Sequence, residues 1–119
     1  MALREPTRDE MRLLGFLALI GAGRGLSSDC LIGVRVEDMT DGGMGSLRLW
    51  PRRMRVVDKV AARTIAACQF SDLDGVPVIA SLYVNREGVP FELDAWKVDF
   101  SPLRRIPDEF VALHEPERR

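Results

Sequence analysis

The sequence predicts an α+β fold: an N-terminal helix packed on a curved, mainly antiparallel sheet of about five strands, with two hairpins in the C-terminal half. Three observations carry that prediction. A helix-start signature followed by a broad apolar stripe occupies residues 7–22. Period-two alternation of apolar and polar side chains recurs further on, the mark of strands with one buried face. Finally, Asp72-Leu73-Asp74-Gly75-Val76-Pro77 is echoed thirteen residues later by Asn85-Arg86-Glu87-Gly88-Val89-Pro90.

The helix begins with a capping box. The Thr7 hydroxyl can accept the backbone N–H of Glu10, and the Glu10 carboxylate can reach back to the Thr7 N–H. Asp9 and Glu10 also lie where the helix dipole favours negative charge. Met11, Leu14, Leu17, Ala18 and Gly21 then keep helical spacing, Leu13, Phe16 and Ile20 widen the stripe, and Gly21, Gly23 and Gly25 end it. A stripe this broad calls for a covering sheet. The apolar run 13–22 is too short to span a bilayer, and Glu5, Asp9 and Glu10 upstream do not fit a signal peptide.

Residues 31–39 alternate, with Ile32, Val34 and Val36 on one side and Arg35 and Glu37 on the other. A glycine-rich loop over 40–45 leads to a short strand at 46–50 with Leu47 and Leu49 inward. A phosphate cradle would need a helix directly after that loop, and a strand-like segment stands there instead. Pro51 ends the strand, residues 55–62 fit helix and strand equally, and 63–70 reads as strand.

Each echoed unit is a turn opened by Asp or Asn and closed by glycine, the pattern of a type I turn with a glycine bulge. Strands over 63–70, 76–84 and 89–100 follow. In the last, Phe91, Leu93 and Ala95 are apolar in one phase, and Trp96, Val98 and Phe100 in the other. One face cannot hold both sets, so a β-bulge is expected near Ala95-Trp96, leaving Glu92, Asp94, Lys97 and Asp99 along an exposed face and re-aiming Trp96, either into the core or onto a binding surface. Past Pro102, residues 107–113 read as one or two helical turns.

Length and composition fit one domain over 1–119 with loose ends at 1–6 and 115–119. Apolar residues make up 46% and charged ones 29%, so disorder is excluded as a class. Net charge is −1, which gives no whole-molecule pull towards nucleic acid or membrane. The halves differ: residues 1–63 carry 11 basic against 8 acidic side chains, and 64–119 carry 6 against 10. Cys30 and Cys68 lack CxxC spacing; they leave room for one disulfide, but read better as two buried free thiols in a reducing cytoplasm.

The chemistry-bearing patterns are weak. His114 is the sole histidine and has no orienting third group in view. Asp72-Leu73-Asp74-Gly75 imitates a calcium loop, but Tyr83 stands where the bidentate acid belongs. The sequence therefore assigns no catalytic residue, no metal ligand and no cofactor. It offers two candidate binding patches instead: basic Trp50, Arg52, Arg53 and Arg55, and acidic Glu92, Asp94, Trp96, Lys97 and Asp99. The expected function is a non-catalytic binding or interaction module, immunity-like in one form, whose partner is another protein or a second copy. Nucleic acid and membrane are not expected partners. The alternative is a small-ligand domain or enzyme with a pocket between helix and sheet.

The segments Asp41-Gly42-Gly43-Met44-Gly45-Ser46-Leu47, Asp72-x-Asp74-Gly75-Val76-Pro77-Val78 and Glu92-Leu93-Asp94-x-Trp96-Lys97-Val98-Asp99-Phe100-Ser101-Pro102-Leu103 together resemble a family of small bacterial proteins known as an uncharacterised domain. The resemblance runs from about Pro6 to Pro107 and implies a bacterial, cytoplasmic, stand-alone domain. It carries over no catalytic residue.

Overall fold

The computed structural model describes residues 3–27, 29–52, 54 and 58–114. Helix α1 (Arg8–Ala22) starts as its signature requires: Glu10 N–H donates to Thr7 Oγ1 at 3.0 Å, and Thr7 N–H to Glu10 Oε1 at 2.8 Å. Arg4 adds a second hold, donating to both Glu10 oxygens at 2.8 and 2.9 Å and to Asp38 at 2.8 Å. Leu13, Leu14 and Leu17 are buried against the sheet, each contributing roughly 1.5–3 kcal/mol by leaving water.

Six strands form one antiparallel sheet: β1 (Arg35–Asp38), β2 (Leu47–Trp50), β3 (Ala61–Ser71), β4 (Pro77–Asn85), β5 (Pro90–Lys97) and β6 (Val111–Ala112). Their spatial order is β1-β2-β5-β4-β3-β6. The α+β architecture is thus as the sequence predicts, with one strand more. That strand replaces the helical turns expected at 107–113. Arg12 donates to the carbonyls of Ile106 and Pro107, Phe110 packs its ring on Phe16 and Phe70, and β6 then fills the open edge of β3. A free strand edge offers unpaired N–H and C=O groups that two residues can satisfy, and local helix signals do not register it.

Both hairpins take the expected form. Gly75 N–H donates to Asp72 O at 2.9 Å and Gly88 N–H to Asn85 O at 3.0 Å, with both glycines at positive φ. The expected strand at 31–39 is shorter. Residues 31–33 form a turn ended by Gly33 at φ +72°, so Val34 and Val36 face the core while Ile32 is 52% exposed. Of the undecided segment 55–62, residues 55–57 lie outside the described residues, as does the expected loose end 115–119; 61 and 62 begin β3.

The expected bulge at Ala95-Trp96 does not occur. The β4–β5 register runs unbroken through Ala80↔Ala95, Ile79↔Trp96 and Val78↔Lys97; the irregularity lies instead at Tyr83/Val84, beside Pro90. A proline without an N–H can sit only where the ladder is interrupted, which explains the shift. Leu93, Ala95 and Lys97 therefore share the inner face, and Glu92, Asp94 and Trp96 the outer one. The strand stops at Lys97 in a turn closed by Phe100 N–H to Lys97 O at 2.8 Å, leaving Val98 and Phe100 exposed. The inner face, with Cys68, Val78, Ala80, Leu82 and Leu93, packs on the α1 leucines. On the outer face Val111, Gln69, Ile79 and Trp96 stand in one row across four strands.

Candidate functional site

Lys97 ends the inner row of β5 with no solvent exposure, an expensive place for an ammonium unless it is paired. It is paired three times: Nζ donates to Asp72 Oδ2 at 2.9 Å, Asp74 Oδ2 at 2.6 Å and the Pro102 carbonyl at 3.1 Å. Asp72, also fully buried, accepts further backbone N–H groups from Leu73, Arg104 and Arg105 at 2.7–2.9 Å. Burial by itself would push the Asp72 carboxyl up. The Lys97 ammonium and those three N–H groups outweigh it and hold its pKa down to about 2. Burial likewise works to lower the Lys97 pKa, and the two carboxylates outweigh it and raise it. Groups held this firmly in their charged forms are poor proton donors and acceptors near neutral pH, so the cluster acts as a pin.

What it pins is the stretch 98–106. The glycine-rich loop joins the same assembly, because Leu103 N–H donates to Gly43 O at 2.9 Å. Asp41 accepts from Met44 and Ser46 N–H, and the Ser46 hydroxyl accepts from Ala95 N–H at 2.9 Å. The three segments that carry the family resemblance therefore meet in one place, around Lys97.

A separate cleft of about 720 Å³ opens where β1 begins and β2 ends, beside the start of α1. Glu5, Pro6, Met11, Leu31, Gly33, Val34, Arg35, Trp50 and Arg52 line it. Arg35 and Trp50 are ladder partners, which places guanidinium and indole side by side on the outer face. Arg52 packs its methylenes over Gly33, where a Cβ would stand 2.9 Å from Arg52 Cδ. The Lys59 ammonium lies 5.8 Å from the Trp50 ring centroid, within cation–π range. Among the described residues, Arg4, Arg12, Arg86, Lys97 and Arg104 are matched to carboxylates, whereas Arg35 and Arg52 have no such match.

Of the residues singled out from sequence, Trp50 and Arg52 meet in this cleft, and Arg53 and Arg55 lie outside the described residues. Glu92, Asp94 and Trp96 share the outer sheet face; Trp96 is half-buried there rather than in the core, its ring 6.4 Å from that of Phe100. Asp99 sits in the turn beyond the strand, accepting from Ser101 N–H at 3.0 Å and Oγ at 2.7 Å. Lys97 does not belong with them: without a bulge its phase is that of Leu93 and Ala95, and it points into the core. Sequence reasoning missed Arg35 and Glu5 at the cleft. The signal for Arg35 was its outward phase, but its closeness to Trp50 depends on a strand register that no local pattern encodes.

Both thiols are buried and free, and burial pushes Cys68 up to about 12, so it stays protonated. Among the described residues no three histidine, cysteine or acidic side chains gather as a metal-binding group. Among them, too, no helix is long and apolar enough to cross a membrane.

One helix on a six-stranded antiparallel sheet, with a rim cleft and a buried ion cluster, defines a small α+β domain. Residues 3–107 match the family model described as Domain of unknown function (DUF6984), and the chain belongs to that family, in accord with the resemblance. No curated protein and no solved structure matches the chain.

Proposed function

We propose that this domain is a non-catalytic binding module that takes a small molecule in the cleft at the start of β1 and the end of β2. The observation that supports it is the meeting of Trp50, Arg35 and Arg52 around about 720 Å³ of concave space with an apolar wall of Pro6, Met11, Leu31 and Val34. Clefts of this size, largely apolar with a few convergent polar groups, are where small ligands bind. Among the described lining residues, Glu5 is the one carboxylate, and no serine, cysteine or histidine joins it, which favours binding over turnover. The pocket sits at the sheet rim, away from the helix–sheet interface that Leu14, Leu17 and Leu82 fill. Buried thiols suit a reducing cytoplasm of bacterial type. The test is a fragment titration followed by amide NMR. Saturable shifts confined to Gly33–Arg35 and Trp50 are expected; a library that moves none of these resonances would overturn the reading.

A second reading, an interaction surface of immunity type, draws on the outer sheet face. Phe100 and Val111 are each 68% exposed and flank the Ile79–Trp96 row, with Glu92, Asp94 and Asp99 alongside. That chemistry fits a positively charged, partly apolar protein segment. An amphipathic lysine–leucine peptide should shift Ile79 and Trp96 resonances where a glutamate–leucine peptide does not; equal responses would end this reading.

A further inference from the structure

Resting on the cleft reading above, we infer that the cleft's ligand is a planar molecule carrying one anionic group, a phosphate or a carboxylate, gripped by Arg35 and Arg52 with its ring against Trp50. What sets this place apart is that two guanidiniums with no carboxylate partner among the described residues line one cleft beside an indole. Elsewhere several basic side chains are neutralised locally: Arg4 by Glu10 and Asp38, Arg86 by Asp58, Lys97 by Asp72 and Asp74. Arg35 and Arg52 have no such partner among the described residues, although both line the same concave space. Guanidinium presents parallel N–H donors that match the oxygens of phosphate and carboxylate alike.

The seating of Arg52 strengthens the case. Its stem lies so close to Gly33 that a Cβ there would stand 2.9 Å from Arg52 Cδ, and Gly33 itself sits at φ +72°. The backbone is therefore shaped to let that side chain cross it on the way to the cleft. Charge agrees: Arg35 and Arg52 against Glu5 leave the lining at +1, and Lys59 near the Trp50 ring adds a further positive field. Indole offers a face for a flat ring, and Met11, Leu31 and Val34 offer an apolar wall beside it.

The test titrates the protein with adenosine 5′-monophosphate and benzoate, each beside its uncharged counterpart, adenosine and benzyl alcohol. Amide shifts at Gly33–Arg35 and Trp50 are the readout, in the wild type and in Arg35→Ala, Arg52→Ala and Arg35→Lys. At least one anionic probe should saturate the cleft about tenfold or more tightly than its neutral counterpart. Each alanine variant should remove that advantage, and Arg35→Lys should restore only part of it, since lysine keeps the charge but not the fork. A phosphate source and a carboxylate source are told apart by which probe binds. Neutral probes binding as well as anionic ones, unchanged in the arginine variants, would overturn the anion inference and leave the cleft reading standing. No shift at the cleft with any probe would overturn both.

Discussion

The Lys97 ammonium lies 2.9 Å from Asp72 Oδ2 with both side chains wholly shut off from solvent, and this contact ties the end of β5 to the β3–β4 hairpin. Removing one partner of a buried pair strands the other's charge, which costs more than the pair itself contributes. Asp72→Asn leaves Lys97 only Asp74 of its two carboxylates and turns an amide NH2 towards backbone N–H groups that the carboxylate had accepted, and should lower stability by about 3 kcal/mol in urea unfolding. Lys97→Met should be milder, because Asp72 would keep its three backbone N–H donors and methionine suits the inner row beside Ala95. A Lys97→Met loss larger than that of Asp72→Asn would show the lysine, not the aspartate, to be the better-compensated partner.

Acid should loosen the same contact. The Asp72 carboxyl is lowered from 3.8 to about 2 in the folded chain. A depressed folded pKa means its contribution is fully present above about pH 4 and is lost as pH falls towards 2, on the order of 2 kcal/mol. Lys97 works at the other end of the scale: its raised pKa gives a contribution present below 10.5 and lost only as pH rises through the folded value. Unfolding free energies between pH 5 and 2 should thus fall more steeply in the wild type than in Asp72→Asn. Parallel profiles would assign the acid sensitivity to other carboxylates.

Elements set by local chemistry were legible in the sequence. The Thr7–Glu10 box and the paired turns Asp72–Gly75 and Asn85–Gly88 need only neighbours a few residues apart, and the structure places them as read. What depends on distant partners was not. Lys97 looks like an outward residue until Asp72 and Asp74 arrive from a hairpin more than twenty residues earlier. The phase conflict between Ala95 and Trp96 has a simpler resolution than a bulge: the strand ends at Lys97, and the chain turns away over 98–100 with Val98 and Phe100 exposed. Of the cleft's side chains, Trp50 and Arg52 were visible as composition, while Arg35 entered only through the β1–β2 register.

Trp96 sits half-buried on the outer face, so Trp96→Ala should cost about 1–2 kcal/mol, below the 3–5 kcal/mol of a fully buried indole. Chemical denaturation reads the difference directly. A cost at the higher value would mean that the outer face is packed as tightly as the inner one.

Phe100 is the one non-glycine residue at positive φ among those described, at 65°, with its ring 68% exposed. The left-handed region costs a residue with a Cβ roughly 1–2 kcal/mol. Comparing Phe100→Gly with Phe100→Ala isolates that strain, since both lose the contact with Trp96. The glycine variant should be the more stable by about 1 kcal/mol. Equal stabilities would show that the turn relaxes once the ring is gone.

Gly33 offers the matching test at the cleft. Alanine there meets two penalties at once: a left-handed backbone at φ +72° and a Cβ 2.9 Å from Arg52 Cδ. The first is fixed by the chain, at about 1–2 kcal/mol. The second can be relieved, because the Arg52 stem is flexible and can swing aside. Gly33→Ala should therefore lower stability by about 1–2 kcal/mol, and pairing it with Arg52→Ala should recover only the steric part. A double-mutant cycle measures that coupling. Zero coupling would mean that the Arg52 stem swings aside at no cost, and the contact with Gly33 would then not be what seats that guanidinium in the cleft.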